Sequence, residues 1–565
     1  MVRVFAKMGE SPNVAIHGQV ATKPHIVDLI LDLVGFKMGC PLPQRTLLDP
    51  GCGEGAFLFE AARRLIAAAK RLRITACGLG HCLLGIDKDS KAVTVCRERL
   101  RALLASEGIH NATSRKLINA WTLIGDFLAD DLGRSFDYIV GNPPYVRQEG
   151  IPKADLLRYR TEFQCFYDRA DLYILFFERG LRCLSDDGML GYICPNRFCR
   201  NRYGKKLRDL ITREYCVKHI IDLSNASPFE QEVISYPAIF IVGRGTTGEV
   251  DHACMANATP AECDEARLLI QDKNRKSRSA AVERHVYTQW FAGDQRWTTE
   301  SPDHLALLHR IEDGRSLLGS DSSGTIIGIG VATGADRVFI VKPEVIEIET
   351  ELLLPLAMTR DIASGRVDWQ GFHVINPFSD DGSGGLIDLN KYPKAKAYFS
   401  EHREQIQGRN VAKRNRVNWF RTIDRIYPRL RRKKKLLIPD IKATNLVVYE
   451  GGELYPHHNL YFVTSDYWDL QALQAILRSS LAKFCVWMNG VKMRAGWFRF
   501  QAQYLRRIPL PHLMEIKGKN IARLRAVAED ASIDAIDAVV ADVYGLSAHD
   551  LDLIRSAGTV APTGD

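Results

Sequence analysis

Between Lys23 and about Gly243 the chain alternates short apolar runs with stretches whose apolar residues recur at helical spacing, the pattern of a parallel sheet covered on both faces. The runs Thr46–Asp49, Leu83–Asp87, Thr122–Gly125, Tyr138–Gly141, Met189–Ile193, Val217–Asp222 and Ala238–Val242 predict seven strands. His25–Val34, Ala56–Arg71, Ser90–Glu107, Leu172–Leu184 and Gly204–Arg213 predict helices between them. Together they suffice for one doubly wound α/β domain. From Thr246 to Arg296 the residues turn polar and aperiodic around the cluster Asp272–Ser279, which predicts a connecting segment.

Periodicity returns near Thr299, with strands at Val338–Val341, Leu436–Pro439 and Leu460–Val463 and a helix at Leu470–Ser480, a mixed α/β pattern. In the tail Ile533, Ile536, Val540 and Val543 share one helical face, Gly545 offers a stop, and Ser547 with Asp550 offers a cap. The expected organisation is an α/β domain over 1–245, a connector over 246–298, a second domain over 299–515 and a helical tail over 516–565.

Composition narrows the class. At 565 residues, 46% hydrophobic and 25% charged, the chain buries ordinary cores and is neither a disordered segment nor a short adaptor. Its longest nearly apolar run, Val233–Gly243, is far short of the roughly 20 residues of a membrane helix. The first 25 residues lack a cationic segment followed by an apolar core, so a cytoplasmic location is expected. None of the 13 cysteines forms a C-x-x-C pair, and neither Cys77/Cys82 nor Cys194/Cys199 has a histidine at zinc-ligand spacing, which predicts reduced thiols and no metal centre. The net charge of +9 is local: Arg403–Lys435 holds 13 basic residues against Glu404 and Asp424, leaving the rest near neutral. Such a segment suggests a polyanionic partner met at a defined place, or else a solvated surface run.

Candidate chemistry lies at the strand ends. Thr46–Leu58 reads TLLDPGCGEGAFL, a strand ending at Asp49-Pro50, a turn with Gly51, Gly53 and Gly55, and a helix start. Glycines serve where backbone must bend sharply and approach a ligand. The next strand ends LLGIDKD at Asp87, where a carboxylate can accept from ribose hydroxyls, and a third ends LIGDF with Asp126 beside Phe127. Each carboxylate alone also reads as a helix cap. The fourth strand, FDYIVGNPPY, presents Asn142-Pro143-Pro144-Tyr145 at the same sheet edge. Successive prolines fix the backbone and donate no amide proton, so carbonyls there are free to accept. With the Asn142 side-chain oxygen they offer two acceptors to a planar NH₂ group, and Tyr145 offers a ring to stack on its carrier.

In this order the motifs resemble class I methyltransferases that act on exocyclic amino groups, in particular the gamma-class, Taq-type DNA adenine-N6 methyltransferases of bacterial restriction-modification systems. HGQVATKPHIVDLI (His17–Ile30) is similar to that family's leading motif, and ADLYILFFERGL (Ala170–Leu181) and GMLGYICPNRF (Gly188–Phe198) to its later helix and strand. SPFEQEVISYPAIFIV (Ser227–Val242) resembles the segment that brings a second aromatic face to the base, Phe229 here, for which core packing is the other reading. GIGVATGADRVFIV (Gly328–Val341), TRDI (Thr359–Ile362), the basic run leading into KKKLLIPDI (Lys433–Ile441) and RFQAQYLRRIPLP (Arg499–Pro511) resemble the specificity domain. One departure is the 38 residues from Asp49 to Asp87, against roughly 20 in a compact dinucleotide unit, with an insertion around Arg73–His81.

The resemblance implies a Rossmann-like seven-stranded methyltransferase domain, then a mixed α/β target-recognition domain and helical tail. It implies S-adenosylmethionine held by Thr22, Asp49, Gly51, Gly53, Asp87, Asp126 and Phe127. Asn142, Pro143, Pro144 and Tyr145 become the catalytic group, with Tyr145 and Phe229 stacking on a flipped-out adenine. Double-stranded DNA becomes the partner, contacted by Arg429, Arg431, Arg432 and Lys433, at the bacterial nucleoid. A separate restriction endonuclease or other defence-complex subunits are the further partners it suggests. Protein-glutamine and ribosomal RNA methyltransferases use the same or similar NPPY motifs, so those substrates remain open, as does an inactive DNA-binding protein. Cytosine carbon-5 methylation would need a Pro-Cys nucleophile after this strand, and the chain has none there.

Overall fold

A computed structural model describes residues 20–231, 236–272, 281–298, 300–379, 385–414, 417–442, 446–490, 498–499, 501–512, 516, 518–529 and 532–557. Gln19 of the leading motif, residues 232–235, and most of the cluster Asp272–Ser279 lie outside the described residues. The chain divides into two compact units, Met1–Pro302 and Asp303–Asp565.

The first unit is built on one nine-stranded sheet. Its strands are β1 (Leu47–Pro50), β2 (Leu83–Asp87), β3 (Thr122–Ile124), β4 (Phe136–Gly141), β5 (Leu184–Pro195), β6 (Tyr215–Asp222), β7 (Pro237–Arg244), β8 (Val250–Met255) and β9 (Val282–Tyr287). Their spatial order is β3-β2-β1-β4-β5-β7-β6-β8-β9. β1 pairs parallel with both β2 and β4, so the strand order reverses between β1 and β4. In open α/β sheets the crevice at such a reversal is where ligands bind.

Two expectations change. β7 runs antiparallel to β5 and β6, which apolar periodicity could not report because a strand buried on both faces reads alike in either direction. The expected connector over 246–298 instead carries two strands of the sheet and a helix: β8 pairs parallel with β6, β9 antiparallel with β8, and the helix Pro260–Gln271 lies between them in sequence. Its polar composition concealed this because the polar groups pair across strands. Arg284 Nε donates to Asp251 Oδ1 at 2.9 Å between β9 and β8.

The helices Pro24–Val34 and Ala56–Arg71 contribute buried apolar faces to the core of this unit. Arg64, almost fully buried, binds Asp28 and Asp32 of the first helix at 2.7 Å each and Glu60 of its own at 2.9 Å. A buried guanidinium with three carboxylates and the carbonyls of Phe36 and Asp28 has all five donors satisfied, and it fixes the helix that begins just after Thr22.

The second unit is mixed α/β with two four-stranded sheets. One orders Thr325–Ile329, Leu460–Ser465, Lys435–Pro439 and Val448–Glu450, all antiparallel. The other orders Ile340–Val341, His373–Ile375, Leu353–Ala357 and Tyr455–Pro456. The strand expected over Val338–Val341 is shortened, because Asp336–Phe339 forms a helical turn. The tail belongs to this unit: Ser532 caps Ile533–Tyr544, Gly545 ends it at φ 68°, and Ser547 and Asp550 form a reciprocal capping box. Ile533 is exposed on that helix, whose inner face is Ile536, Val540, Ala541 and Tyr544. Among the described residues no helix is long and apolar enough to cross a membrane.

Candidate active site

The carboxyl end of β1 passes into the glycine turn. Gly51, Gly53 and Gly55 all have positive φ, 73°, 52° and 82°, a region that side chains disfavour. At Gly55 a second constraint applies: a Cβ there would lie 2.4 Å from Cys96 Sγ, on the helix Ser90–Ser106. The turn is held by β2. Gly51 and Cys52 donate backbone N–H to the Ile86 carbonyl, and Gly53 N–H donates to Asp87 Oδ2 at 2.9 Å. Asp87 Oδ1 accepts from Asp89 N–H at 2.9 Å, so this carboxylate braces the turn.

Asp49 stands beneath the turn. It is 1% exposed, and neither carboxylate oxygen has a hydrogen-bond partner of good geometry. Burial, with Cys96 and Asp87 nearby, pushes its carboxyl well above the usual carboxylate range. Such a group costs stability as it stands and is relieved by an incoming donor or cation.

Across the reversal, β4 ends at Gly141 and delivers Asn142. The Asn142 amide nitrogen donates to the Val20 carbonyl at 2.8 Å and to Thr22 Oγ1 at 3.2 Å. With two acceptors on that side, the nitrogen must face them, and Oδ1 faces away, buried and without a partner. The leading segment is tied in turn to the region after β6: Thr22 bridges Phe229, Lys23 N–H donates to the Pro228 carbonyl, and Glu230 N–H to the Ala21 carbonyl. Phe229 is buried and meets half-buried Tyr145 with ring centroids 6.1 Å apart and planes at 73°. Pro144 borders the glycine turn, since a Cβ on Gly51 would sit 3.8 Å from its ring. Thr22, Asn142, Pro144, Tyr145 and Phe229 are therefore one group next to Gly51.

The third strand end is less open than its sequence suggested. Asp126 Oδ2 pairs with Lys88 at 2.9 Å and Arg158 at 3.4 Å, and Oδ1 accepts from Leu128 N–H. Phe127 is 3% exposed, packed on Phe176 at 5.3 Å with the Arg179 guanidinium 5.4 Å from its ring centre. Sequence reasoning assigned no separate role to Asp171, whose neighbour Leu172 donates N–H to the Val146 carbonyl, just past Tyr145. Burial pushes the Asp171 carboxyl up to about 6 against the pull of Arg197 and Arg147. Nothing in its local pattern signalled that burial.

The basic segment in the second unit separates into interior and surface groups. Lys435 is fully buried and pairs with Glu450, also donating to the Leu454 carbonyl at 3.1 Å and the Arg431 carbonyl at 3.2 Å. Glu450 accepts from the N–H groups of Gly452, Glu453 and Leu454. Arg409 donates to the carbonyls of Thr333, Trp419 and Arg421, and burial lowers its guanidinium to about 10. Arg429, Arg432 and Lys433 are exposed; Arg431 is half-buried, with Nε donating to the Glu453 carbonyl at 3.0 Å.

Known proteins resemble this chain in sequence and in fold. The family model of the Eco57I restriction-modification methylase matches residues 81–229. The chain is 44% identical over 553 residues to the type II methyltransferase M.BstVI of Geobacillus stearothermophilus, covering 96% of this chain and 98% of the relative. It is 41% identical over 547 residues to the type II methyltransferase M.PaeR7I of Pseudomonas aeruginosa, covering 96% and 94%. Among solved structures, the type IIL restriction-modification enzyme MmeI in complex with DNA shares the fold at a TM-score of 0.59 and 12% identity, over 95% of this chain and 76% of that one. With its class I methyltransferase sheet, its glycine turn and its NPPY motif, this chain belongs to the type II methyltransferases of restriction-modification systems.

Proposed function

We propose that the protein transfers a methyl group from S-adenosylmethionine to the N6 amino group of an adenine flipped out of double-stranded DNA, as the modification enzyme of its system. The observation that carries this reading is the Asn142 side chain, anchored through its nitrogen and presenting a buried, unpartnered oxygen at the sheet edge. An exocyclic amino nitrogen is a poor nucleophile while its lone pair is delocalised into the ring. Asn142 Oδ1 and the Pro143 carbonyl accept hydrogen bonds from its two N–H groups and draw the nitrogen toward tetrahedral geometry, and the one proton that the methylated nitrogen sheds passes to solvent. Orientation and fixed dipoles then supply much of the barrier reduction, and no side-chain base is needed. Because the Tyr145 and Phe229 planes stand at 73°, a base parallel to one ring meets the other edge-on.

The residues present fit the cofactor. Asp49 lacks donors, and the glycine turn leaves room for a close backbone approach. Asp49, Gly51, Gly53 and Asp87 would hold it, with Asp126 and Phe127 beside them; when bound it supplies an electrophilic methyl group. Thr22 serves chiefly by orienting Asn142. Arg429, Arg431, Arg432 and Lys433 contact DNA phosphates, the enzyme works in the cytoplasm at the nucleoid, and a separate endonuclease of matching specificity is its partner. The test is incubation with duplex DNA and S-adenosylmethionine followed by nucleoside mass spectrometry, with modification-sensitive sequencing of host DNA. N6-methyladenine confined to one motif is expected; methyl-cytosine, or methylation of a protein glutamine and not DNA, overturns the reading.

A further inference from the structure

In the second unit a carboxylate and two adjacent histidines, all competent to bind a metal, converge across 121 residues of sequence. One donor atom each from Asp336, His457 and His458 lie within 4.8 Å of one another. His457 Nε2 stands 3.3 Å from Asp336 Oδ2. Two donors each 2.0–2.1 Å from a tetrahedral zinc ion are about 3.3 Å apart, so this pair already has the spacing of a coordinated edge.

The surroundings hold these groups in place. His458 N–H donates to the Val331 carbonyl, Val331 N–H to the Pro456 carbonyl, and His457 N–H to the Ala357 carbonyl. The close approach requires Gly330, where a Cβ would fall 2.3 Å from the Pro456 and His457 carbonyl oxygens. Asp336 Oδ1 accepts from the Thr333 hydroxyl, fully buried behind it, which fixes the carboxylate with Oδ2 toward His457. Second-layer hydrogen bonds of this kind orient metal ligands. His457 is 2% exposed, and Nδ1 of both histidines is buried without a hydrogen-bond partner. His458 and Asp336 also line a cavity of about 460 Å³ with Ala332, Gly334, Ala335 and Gln405.

We propose that Asp336, His457 and His458 bind one divalent transition-metal ion of the zinc class, with its remaining coordination position facing the cavity. Two imidazoles and one carboxylate suit a borderline ion and not magnesium or calcium, which demand oxygen ligands. The ion joins the turn before Asp336 to the segment Pro456–His458 and so stiffens the second unit. The proposal is independent of the methyl-transfer reading.

The test uses the full chain, stripped with chelator and titrated with ZnCl₂ in a calorimeter and with CoCl₂ in a spectrophotometer. One Zn²⁺ per chain is expected, together with visible cobalt bands lacking a thiolate charge-transfer feature and a rise in thermal midpoint with Zn²⁺. His458→Ala and Asp336→Asn, both at partly exposed positions, should each weaken binding by about 100-fold or more while melting cooperatively without metal. Thr333→Val should weaken it by about tenfold, as a second-layer hydrogen bond does. Absence of binding, unchanged affinity in both ligand variants, or a cobalt–thiolate band assigning the ion to cysteines overturns the proposal.

Discussion

The sheet edge of the first unit and the basic segment of the second both stand out in the sequence, yet folding treats them differently. At the sheet edge, Thr22, Asn142, Tyr145 and Phe229 come from distant segments and converge, leaving one amide oxygen unsatisfied. In the basic segment neighbouring residues diverge: Lys435 becomes core while Lys433, two positions earlier, stays exposed. A parallel sheet with a strand-order reversal brings its strand ends to one place, so motifs there act together. A run of charge has no such frame, and local packing decides each residue's role.

The largest effect should test the interior half of that contrast. Lys435→Met leaves Glu450 buried without its cation and should cost about 3–5 kcal/mol, read as a lower denaturant midpoint. A loss below about 1 kcal/mol would return Lys435 to the surface set. Asn142→Ala should lower single-turnover methyl transfer by about 10²- to 10³-fold with cofactor affinity kept, the usual cost of removing one preorganised polar group. Near-normal turnover would remove the amide from the mechanism.

Asp171 tests the sheet edge by pH. Its carboxyl is raised from 3.8 to about 6 in the folded chain, so the folded state holds its proton more tightly than the unfolded state. That contribution is full at low pH and is lost as pH rises from about 4 to 6, by up to about 3 kcal/mol. Asp171→Asn should therefore melt higher than wild type at pH 7.5, with the difference vanishing near pH 4. The smallest change is expected on the surface. Replacing Arg431, Arg432 and Lys433 with Ala should lower the slope of log affinity for DNA against log salt by about 0.9 for each phosphate no longer neutralised. An unaltered slope would make these residues a solvated run.

Much of this was legible beforehand because the relevant signals are local. Seven of the nine strands in the first unit's sheet and the glycine turn follow from apolar runs punctuated by Gly and Pro, and the Ser547–Asp550 cap from its spacing. What could not be read depended on partners remote in sequence. β8 and β9 look like loop because Asp251 needs Arg284 to be satisfied. Lys435 looks like surface until Glu450 is placed beside it. Asp336 and the two histidines show no ligand spacing because 121 residues separate the first from His457. The grip of Thr22 on Asn142 spans 120 residues and was equally silent.

The bridge between Thr22 and Phe229 has a temporal implication. A ribosome releases Thr22 long before Phe229, and Asn142 between them, so the strap that orients the amide can lock only after β6 has been made. Loop closure over such a span is slow compared with local helix formation. A partly synthesised chain that ends before Phe229 therefore lacks the strap, and the Asn142 amide gains its fixed orientation only once that later segment is in place.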